Sequence, residues 1–351
     1  MRPTLYHSTP AASPPENVNT SPEIARLQAL QQMALEHLGR GRADLARPLV
    51  EELRRAAPAH PQAQATVRQM MLYVEAIAVQ WPAQREPYTP TAREAPHAGL
   101  DIVSFHVDLP RAPSGIHGQI DYASVLALSF ESARLRAPHA RTLLLTDEAT
   151  RVPEGIDEVV REPIDRNRLM YERMRVQSRF LQRRDPGRAT VFTDSDVVVN
   201  LDPAPIFAED FDVGLTWRTG LPDAPFNGGM IFVAPGEAGA RFFAEAIRCY
   251  DALADDAARK AVFPQDLRAW WGDQFALAAM VGYREFGERT GEGIRVNGVR
   301  VRFFPCETHN FTMEGGNHEV AALRRKYFIH FKGNRKAMQG QYLDAMRSGR
   351  L

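Results

Sequence analysis

The sequence predicts an α/β protein in which helices cover both faces of a mostly parallel sheet, preceded by a small α-helical region. From residue 98 onward, short apolar segments alternate with helical ones, and this alternation is typical of parallel sheets. Before residue 83, Leu and Ala recur at spacings of three and four residues, which indicates amphipathic helices. Two aspartates follow one apolar segment, in VFTDSDVVVN at 191–200, at a strand end of the kind where parallel sheets bind ligands.

The composition limits the class of protein. The chain of 351 residues has 43 Lys and Arg against 43 Asp and Glu, and a net charge of zero argues against a dedicated nucleic-acid binder. Cys249 and Cys306 form no C-x-x-C motif, so neither a disulfide framework nor a structural zinc site is indicated. No apolar run approaches the ~20 residues of a membrane span, and the N-terminal residues lack the apolar core of a signal peptide. We therefore expect a soluble, cytoplasmic protein, either free or peripheral at the inner face of the membrane.

The chain divides into four regions by composition. Residues 1–20 are rich in Pro, Ser, Thr and Asn and predict a flexible lead-in. Residues 21–83 have a helical pattern. Residues 84–97 are rich in Pro and predict a linker to a main domain at 98–351.

The helical region resembles one tetratricopeptide helix pair, in the segment ALEHLGRGRADLARPLVEELRRAAPAHPQA. It has a first helix, a Gly-containing turn, and a second helix with Leu45, Ala46 and Leu49. Pro48 departs from the pattern, because proline removes a helical hydrogen bond unless it lies in the first turn. One unit is fewer than the three or so repeats that a self-standing array needs. Two interpretations stay open: a cap packed on the main domain, or a module for docking a protein partner or for self-association.

The main domain alternates strands and helices in a definite order. The predicted strands are LDIVSFHV, RTLLLTD, ATVFTDSDVVV, FDVGLTW, GGMIFVA, VRVRFFP and KYFIHFK. The predicted helices lie at about 121–136, 166–183, 237–254 and 272–282. This order predicts a sheet between two layers of helices, with the aspartate pair at the carboxyl end of one strand.

The aspartate pair is expected to have a positive partner. Asp194 and Asp196 are an i, i+2 pair that can project to one side of a strand, and unpaired buried carboxylates are costly. Mn²⁺ or Mg²⁺ binds carboxylate oxygens together with substrate phosphates. His330 ends a later strand and begins an H-x-x-G-x-x-K pattern with Gly333 and Lys336; the glycine permits a tight turn and the lysine offers its charge to a phosphate. The alternatives are turn-capping aspartates and a structural histidine.

Four segments in chain order, VFTDSDVVV, FNGGMIFV, WGDQFALAAM and HFKGNRK, resemble the GT-A nucleotide-sugar glycosyltransferases. The set is most similar to the retaining family that contains glycogenin and the bacterial lipooligosaccharide galactosyltransferases, over roughly residues 98–340. The resemblance implies a Rossmann-like GT-A fold and a nucleotide-diphosphate sugar as donor.

The same resemblance implies the roles of the charged residues. Asp194, Asp196 and His330 would hold Mn²⁺ (or Mg²⁺), with Asp194 also beside the donor nucleotide. Lys336 would contact the diphosphate of the donor, and Gly333 would contact phosphate through its backbone. The chain departs from the family after Lys336, where Ala-Met stands in place of the usual Pro-Trp.

Further residues correspond to those that contact the donor sugar. Asn227 in FNGG matches an asparagine that touches the transferred sugar, and Asp273 and Gln274 in WGDQ match residues that face the sugar and the reacting carbon. Capping of a helix is the alternative for Asp273. His309 and Asn310 in THNFT lie where the family has an aromatic–Asn pair.

Two helices carry the remaining correspondences. IDYASVLALSFES resembles the family's first helix, which implies that Asp121 and Tyr122 meet the uridine; helix packing is the alternative for the tyrosine. The family also has an arginine on the helix before the aspartates. We choose Arg175 for this position over Arg173 or Arg179, with a solvated arginine face as the alternative.

These assignments predict a metal-dependent glycosyltransferase that moves a sugar from a UDP-sugar or related donor to a glycan, lipid-linked or protein acceptor. His330 and Lys336 favour retention of configuration. The alternatives are an inverting transferase with Asp273 as base, a sugar-phosphate nucleotidyltransferase, and a non-catalytic interaction protein. Trp270–Trp271 and the loop TMEGGNHE at 312–319 are candidates for acceptor binding, with packing in the core as the alternative for the tryptophans. Nucleic acid is the minor option as acceptor because the net charge is zero.

Overall fold

The structure is a computed structural model. It describes residues 22–56, 81–92, 99–109, 120–218, 225–256, 267–269, 272–282, 293–313 and 323–350, and single helical residues between 64 and 78. The predicted lead-in at 1–20 lies outside the described residues.

The N-terminal helices α1 (Pro22–Gly39) and α2 (Ala43–Ala56) pack against each other. Pro48 lies inside α2, as the sequence indicates. The apolar faces of both helices belong to the same hydrophobic cluster as Phe192 and other buried residues of the sheet. Trp81 adds a polar contact, because its indole Nε1 donates to Glu245 Oε1 at 2.7 Å. The helices therefore cover part of the main core, which is the packing expected of a cap.

Two sheets contain the described strands. These are β1 (Arg85–Tyr88), β2 (Leu100–Phe105), β3 (Arg141–Thr146), β4 (Glu158–Arg161), β5 (Ala189–Asp194), β6 (Val197–Val199), β7 (Val213–Trp217), β8 (Phe226–Val233), β9 (Gly293–Val296), β10 (Val299–Pro305), β11 (Phe311–Thr312) and β12 (Phe328–His330). Among the described strands, the large sheet has the order β1-β9-β10-β7-β8-β5-β2-β3-β4 and the small one β11-β12-β6.

The large sheet is mixed. Strands β5, β2, β3 and β4 are parallel, as the alternation of strands and helices predicts. Strand β8 is antiparallel to both of its neighbours, β5 and β7. Because β8 enters between them in the opposite direction, it brings its first residues, Phe226–Gly229, to the carboxyl end of β5.

Part of the predicted linker belongs to this sheet. Arg85–Tyr88, within the segment 84–97, forms the edge strand β1 and pairs antiparallel with β9. Strand β9 turns into β10 through Asn297 and Gly298, which both have positive φ, at 49° and 79°, as in the two-residue turns that favour Asn-Gly. The four residues REPY are too few to show an alternation of apolar and polar residues, so their pattern does not distinguish a strand from a Pro-rich linker, and pairing with β9 decides it.

The helices of the main domain agree with the predicted positions. The four predicted helices are α3 (Tyr122–Arg136), α4 (Leu169–Arg183), α5 (Ala238–Asp255) and α6 (Gly272–Val281). The described residues also contain a short α7 (Cys306–His309) and α8 (Gln339–Arg347), which the sequence analysis did not predict. Within the part of the chain that is described, no helix has the length and apolar character needed to cross a membrane.

The small sheet joins two distant parts of the sequence. Strand β12 pairs antiparallel with β6, and in this register His330 lies opposite Val197. Buried Val198 on β6 and Ile329 on β12 pack in one apolar cluster. Since Val197 directly follows the aspartate pair, this register brings His330 to the two carboxylates.

Candidate active site

Three potential metal ligands converge at the carboxyl end of β5. Asp194 ends β5, Asp196 lies in the turn before β6, and His330 ends β12. His330 Nε2 is 3.0 Å from Asp196 Oδ1 and 3.7 Å from Asp194 Oδ2. One ligand atom from each of the three residues lies within 4.8 Å of the others. The sequence-predicted metal ligands are therefore together.

The charge state of the cluster suits a divalent cation. Burial opposes ionisation of Asp196, yet His330 and Lys336 hold the pKa of this carboxyl well below its ordinary value. Burial lowers the pKa of His330 against the opposing effect of Asp196. A carboxylate and a neutral imidazole are the forms that bind metal ions. Two carboxylates and one imidazole are also a chemically suitable donor set for Mn²⁺ or Mg²⁺.

Lys336 lies beside the cluster. Its Nζ is 2.6 Å from Asp196 Oδ2, and both side chains are buried. Gly333 has φ +60° and starts the 3₁₀ turn Gly333–Met338, which returns the chain so that Lys336 approaches the same carboxylate as His330. The conformation at Gly333 is one that glycine adopts without the strain of a side chain.

An arginine completes the arrangement, and it is Arg173. Its Nη1 donates to Asp194 Oδ1 at 2.6 Å, and its Nη2 donates to Asp273 Oδ2. Burial opposes the charge, but Asp273 and Asp194 together raise the pKa of Arg173 above its ordinary value. The buried guanidinium of Arg173 therefore binds two carboxylates: that of Asp194, in the candidate metal site, and that of Asp273.

The structure does not bring Arg175 to the cluster. Arg175 Nε donates to Glu172 Oε2 at 2.8 Å and its Nη2 donates to the carbonyl of Pro163. Positions 173 and 175 are about 200° apart around a helix, so only one of them can face the site. Arg173 is spaced three and seven residues from Val176 and Phe180, which are buried on α4. This spacing places Arg173 on the buried face of the helix, and it is the signal that distinguishes the two arginines.

The start of β8 forms another wall of the site. A Cβ on Gly228 would lie 2.7 Å from Asp273 Oδ2 and 2.8 Å from Arg173 Nη2. Gln274, in the first turn of α6, is half-buried and has its Cγ 3.5 Å from the same point. Gly228 therefore marks a place where backbone approaches the predicted sugar-facing residues closely.

Two buried polar atoms at this wall have no hydrogen-bond partner among the described residues. They are Asn227 Nδ2, a donor, and Asp273 Oδ1, an acceptor. The side-chain oxygen Oδ1 of Asn227 accepts from the backbone N–H of Gly229 at 3.1 Å, which fixes the orientation of the amide. Unpaired buried polar atoms are costly, and a hydroxyl-rich ligand supplies both a donor and an acceptor.

Asp121 and Tyr122, the residues predicted to meet the nucleotide base, lie at the start of α3. Asp121 is exposed and caps α3, because its side chain accepts from the N–H of Ala123 and the hydroxyl of Ser124. The ring of Tyr122 stacks on His106 with centroids 5.7 Å apart and lies 5.8 Å from Lys336 Nζ. Tyr122 is thus near the cluster, whereas Asp121 caps the helix and also lies 3.5 Å from Arg151 Nη2. His106, which follows β2 and contacts Tyr122, is a candidate that the sequence analysis did not identify.

Other candidates for acceptor binding fall outside the described residues. Trp270 and Trp271 are not described, and neither are residues 314–319 of the loop at 312–319. His309 is described and packs between Phe304 and Tyr327, with centroid distances of 4.7 and 5.1 Å. His309 therefore occupies an aromatic environment, at the position where the resemblance implies an aromatic residue.

We expect His309 to make the protein sensitive to acid. Burial lowers the pKa of His309 from 6.5 to about 4, so the unfolded chain binds a proton at a higher pH than the folded protein does. The stability due to neutral His309 is complete above its unfolded pKa and is lost as the pH falls toward 4. In urea unfolding, the free energy of unfolding of the wild type should decrease between pH 7 and pH 5. In His309→Phe this decrease should be smaller by about 1–2 kcal/mol. Equal decreases would contradict this.

We also expect Gly229→Ala to damage the metal cluster. A Cβ at this position would overlap Asp194 Oδ2 and lie 2.8 Å from His330 Cε1, so the two ligands would be forced apart. Mn²⁺ titration should show weaker binding in this variant. Gly340→Ala is the matched control, because its nearest heavy atom, on Leu128, is 4.0 Å away. Unchanged Mn²⁺ affinity in Gly229→Ala would contradict the geometry.

Residues 133–341 match the sequence model of the family described as nucleotide-diphospho-sugar transferases. No curated protein sequence matches the chain. Among solved structures, the galactosyltransferase LgtC in complex with donor and acceptor sugar analogues is 13% identical with a TM-score of 0.42, over 71% of this chain and 95% of that one.

Two larger proteins are also similar in structure. The bifunctional glycosyltransferase WbbM is 14% identical with a TM-score of 0.43, over 86% of this chain and 62% of that one. The glycosyltransferase GlyE of Streptococcus pneumoniae TIGR4 is 11% identical with a TM-score of 0.43, over 72% of this chain and 63% of that one.

Proposed function

This chain belongs to the nucleotide-diphospho-sugar transferase family, and we propose that it is a metal-dependent glycosyltransferase that uses a UDP-sugar or related donor. The observation that carries the metal dependence is the convergence of Asp194, Asp196 and His330 beside the buried ammonium of Lys336. The proposed acceptor is a glycan, a lipid-linked glycan or a protein. The proposed location is the cytoplasm, which the two buried free cysteines, Cys249 and Cys306, support because they suit a reducing compartment.

The proposed chemistry places positive charge where the leaving group develops negative charge. Asp194, Asp196 and His330 would hold Mn²⁺ or Mg²⁺, which would supply Lewis-acid stabilisation of the leaving diphosphate. Lys336 adds a fixed ammonium, and a preorganised charge of this kind lowers the barrier without reorganisation during the reaction. Gly333 is proposed to contact phosphate through its backbone.

The wall formed by Asn227, Gly228 and Asp273 is the proposed position of the donor sugar. A sugar hydroxyl can accept from Asn227 Nδ2 and donate to Asp273 Oδ1, the two buried atoms that lack partners among the described residues. Gln274 lies next to them, within reach of the same sugar. Tyr122 and His106 are proposed to lie beside the nucleotide.

The surroundings of Asp273 support a retaining reaction. An inverting transferase needs a general base near the acceptor hydroxyl. Asp273 is buried and its Oδ2 accepts from the Arg173 guanidinium, so this oxygen is already engaged with a cation and is not free to contact an acceptor hydroxyl. NMR assignment of the anomeric configuration of the product tests retention directly.

A thermal-shift screen tests the donor class. Nucleoside diphosphates with Mn²⁺ should raise the melting temperature, since a ligand at 100 times its dissociation constant stabilises the folded state by about 2.7 kcal/mol. The shift should be smaller for the nucleotide with EDTA, because the diphosphate and the protein would lose the cation that joins them. The absence of a shift with every nucleotide, in the presence of Mn²⁺, would contradict the proposal.

A further inference from the structure

A chain of hydrogen bonds lies behind His330, on the side away from the carboxylates. His330 Nδ1 is 3.0 Å from Asn310 Oδ1, and Asn310 Nδ2 is 3.1 Å from Thr216 Oγ1. Thr216 Oγ1 is 2.9 Å from the carbonyl oxygen of Asn227 and 3.3 Å from that of Met230. Asn310 is completely buried, Thr216 is 1% exposed and His330 is 3% exposed, so water does not compete for these bonds.

The backbone carbonyls at the far end of this series of hydrogen bonds fix the direction of every bond in the series. A backbone carbonyl only accepts, so the single proton of the Thr216 hydroxyl is donated to β8. The hydroxyl oxygen then accepts from Asn310 Nδ2, and this places Asn310 Oδ1 toward the imidazole. Because Oδ1 only accepts, His330 Nδ1 must carry a proton.

A thiol beside Thr216 does not change this direction. Burial raises the pKa of Cys306, whose sulfur neighbours the Thr216 hydroxyl, so the thiol stays protonated. A neutral thiol is a weak acceptor compared with a carbonyl oxygen. The proton of Thr216 therefore remains with the carbonyls of Asn227 and Met230.

We propose that Asn310 is a positioning residue for His330: its side-chain oxygen accepts the Nδ1–H and directs Nε2 toward Asp194 and Asp196, where Nε2 can offer its lone pair to a cation. Three electron-rich atoms then face one point, which is the arrangement that a cation requires. This inference rests on the proposed metal-dependent function. It adds a second role for β8. The backbone of β8 lies beside the proposed donor sugar, and its carbonyls also orient His330 on β12 through Thr216 and Asn310.

The test compares Mn²⁺ binding in the absence of nucleotide, by electron paramagnetic resonance, in full-length variants. Asn310→Leu removes the acceptor and should weaken Mn²⁺ binding by about 10- to 100-fold, the usual effect of losing a partner of a metal-ligating histidine. Asn310→Asp keeps an acceptor opposite Nδ1 and should restore most of the affinity. Asn200→Leu is the matched control, since Asn200 is a buried asparagine that bonds to Leu323 O, Lys326 O and Tyr342 OH instead; its Mn²⁺ affinity should equal that of the wild type.

A second measurement needs no variant that might fail to fold. In wild-type protein labelled with ¹⁵N at histidine and freed of metal, His330 Nδ1 should give the resonance of a protonated nitrogen. An unprotonated Nδ1, or equal Mn²⁺ affinity in Asn310→Leu and wild type, would overturn the role of Asn310 while leaving the proposed function intact. Failure of the wild type to bind Mn²⁺, by contrast, would refute the proposed metal dependence itself.

Discussion

Asp196→Ala is expected to reduce sugar transfer by at least about 10²- to 10³-fold, the usual cost of removing one charge-stabilising contact. Asp196 is the carboxylate that contacts both His330, at 3.0 Å, and Lys336, at 2.6 Å. Its loss removes a proposed metal ligand and the partner that positions Lys336. The measurement is turnover of the donor with saturating Mn²⁺, and wild-type turnover in the purified variant would refute the assignment.

Stability must be separated from chemistry in this test. Asp196→Ala leaves the Lys336 ammonium buried without its anion, and breaking a buried pair in this way costs about 3–5 kcal/mol. The double variant Asp196→Ala/Lys336→Met removes the unpaired charge, so it should recover stability while remaining inactive. Asp344→Ala is the control for a general effect of losing an aspartate, because Asp344 is 64% exposed and pairs with Arg347 on the surface. It should retain full activity.

Arg173→Met is expected to be the most damaging change on α4. The variant leaves Asp194 and Asp273 without the guanidinium that joins them, and an uncompensated buried charge costs about 3–5 kcal/mol. The displaced carboxylates should also lower the rate, since a misplacement of about 1 Å at a reacting centre can cost 10²-fold. Urea unfolding and donor turnover measure the two effects.

Arg175→Met is the matched control for this prediction. The residue is two positions away on the same helix, and it pairs with Glu172 outside the cluster. Its loss should leave the rate unchanged and cost less stability than the loss of Arg173. A larger rate effect at Arg175 than at Arg173 would favour the arginine chosen from the sequence and contradict the geometry described above.

Patterns of short range were sufficient to predict the strands β2, β3, β5, β7, β8, β10 and β12 and the helices α3 to α6. All of these segments except β12 have five residues or more, so their apolar spacing is distinctive, and β12 lies within the longer apolar segment KYFIHFK. Strands β1, β4, β9 and β11 have four residues or fewer, and such short segments acquire a definite structure only by pairing with a neighbour. The antiparallel direction of β8 is likewise a matter of chain path, which its residues do not encode locally.

The sequence by itself predicted the candidate residues of the site. The acidic pair Asp194 and Asp196 and the His330–Lys336 pattern follow from residue type and spacing along one strand or turn, whereas Asn227 and Asp273 are sugar-facing candidates that the resemblance to the glycosyltransferase family implies. Only the tertiary structure decided that Arg173 rather than Arg175 enters the cluster, and that Asn310 and Thr216 stand behind His330. Such choices are made by which side of a helix faces the core and by which buried polar atoms need partners, and both depend on residues that are distant in the chain.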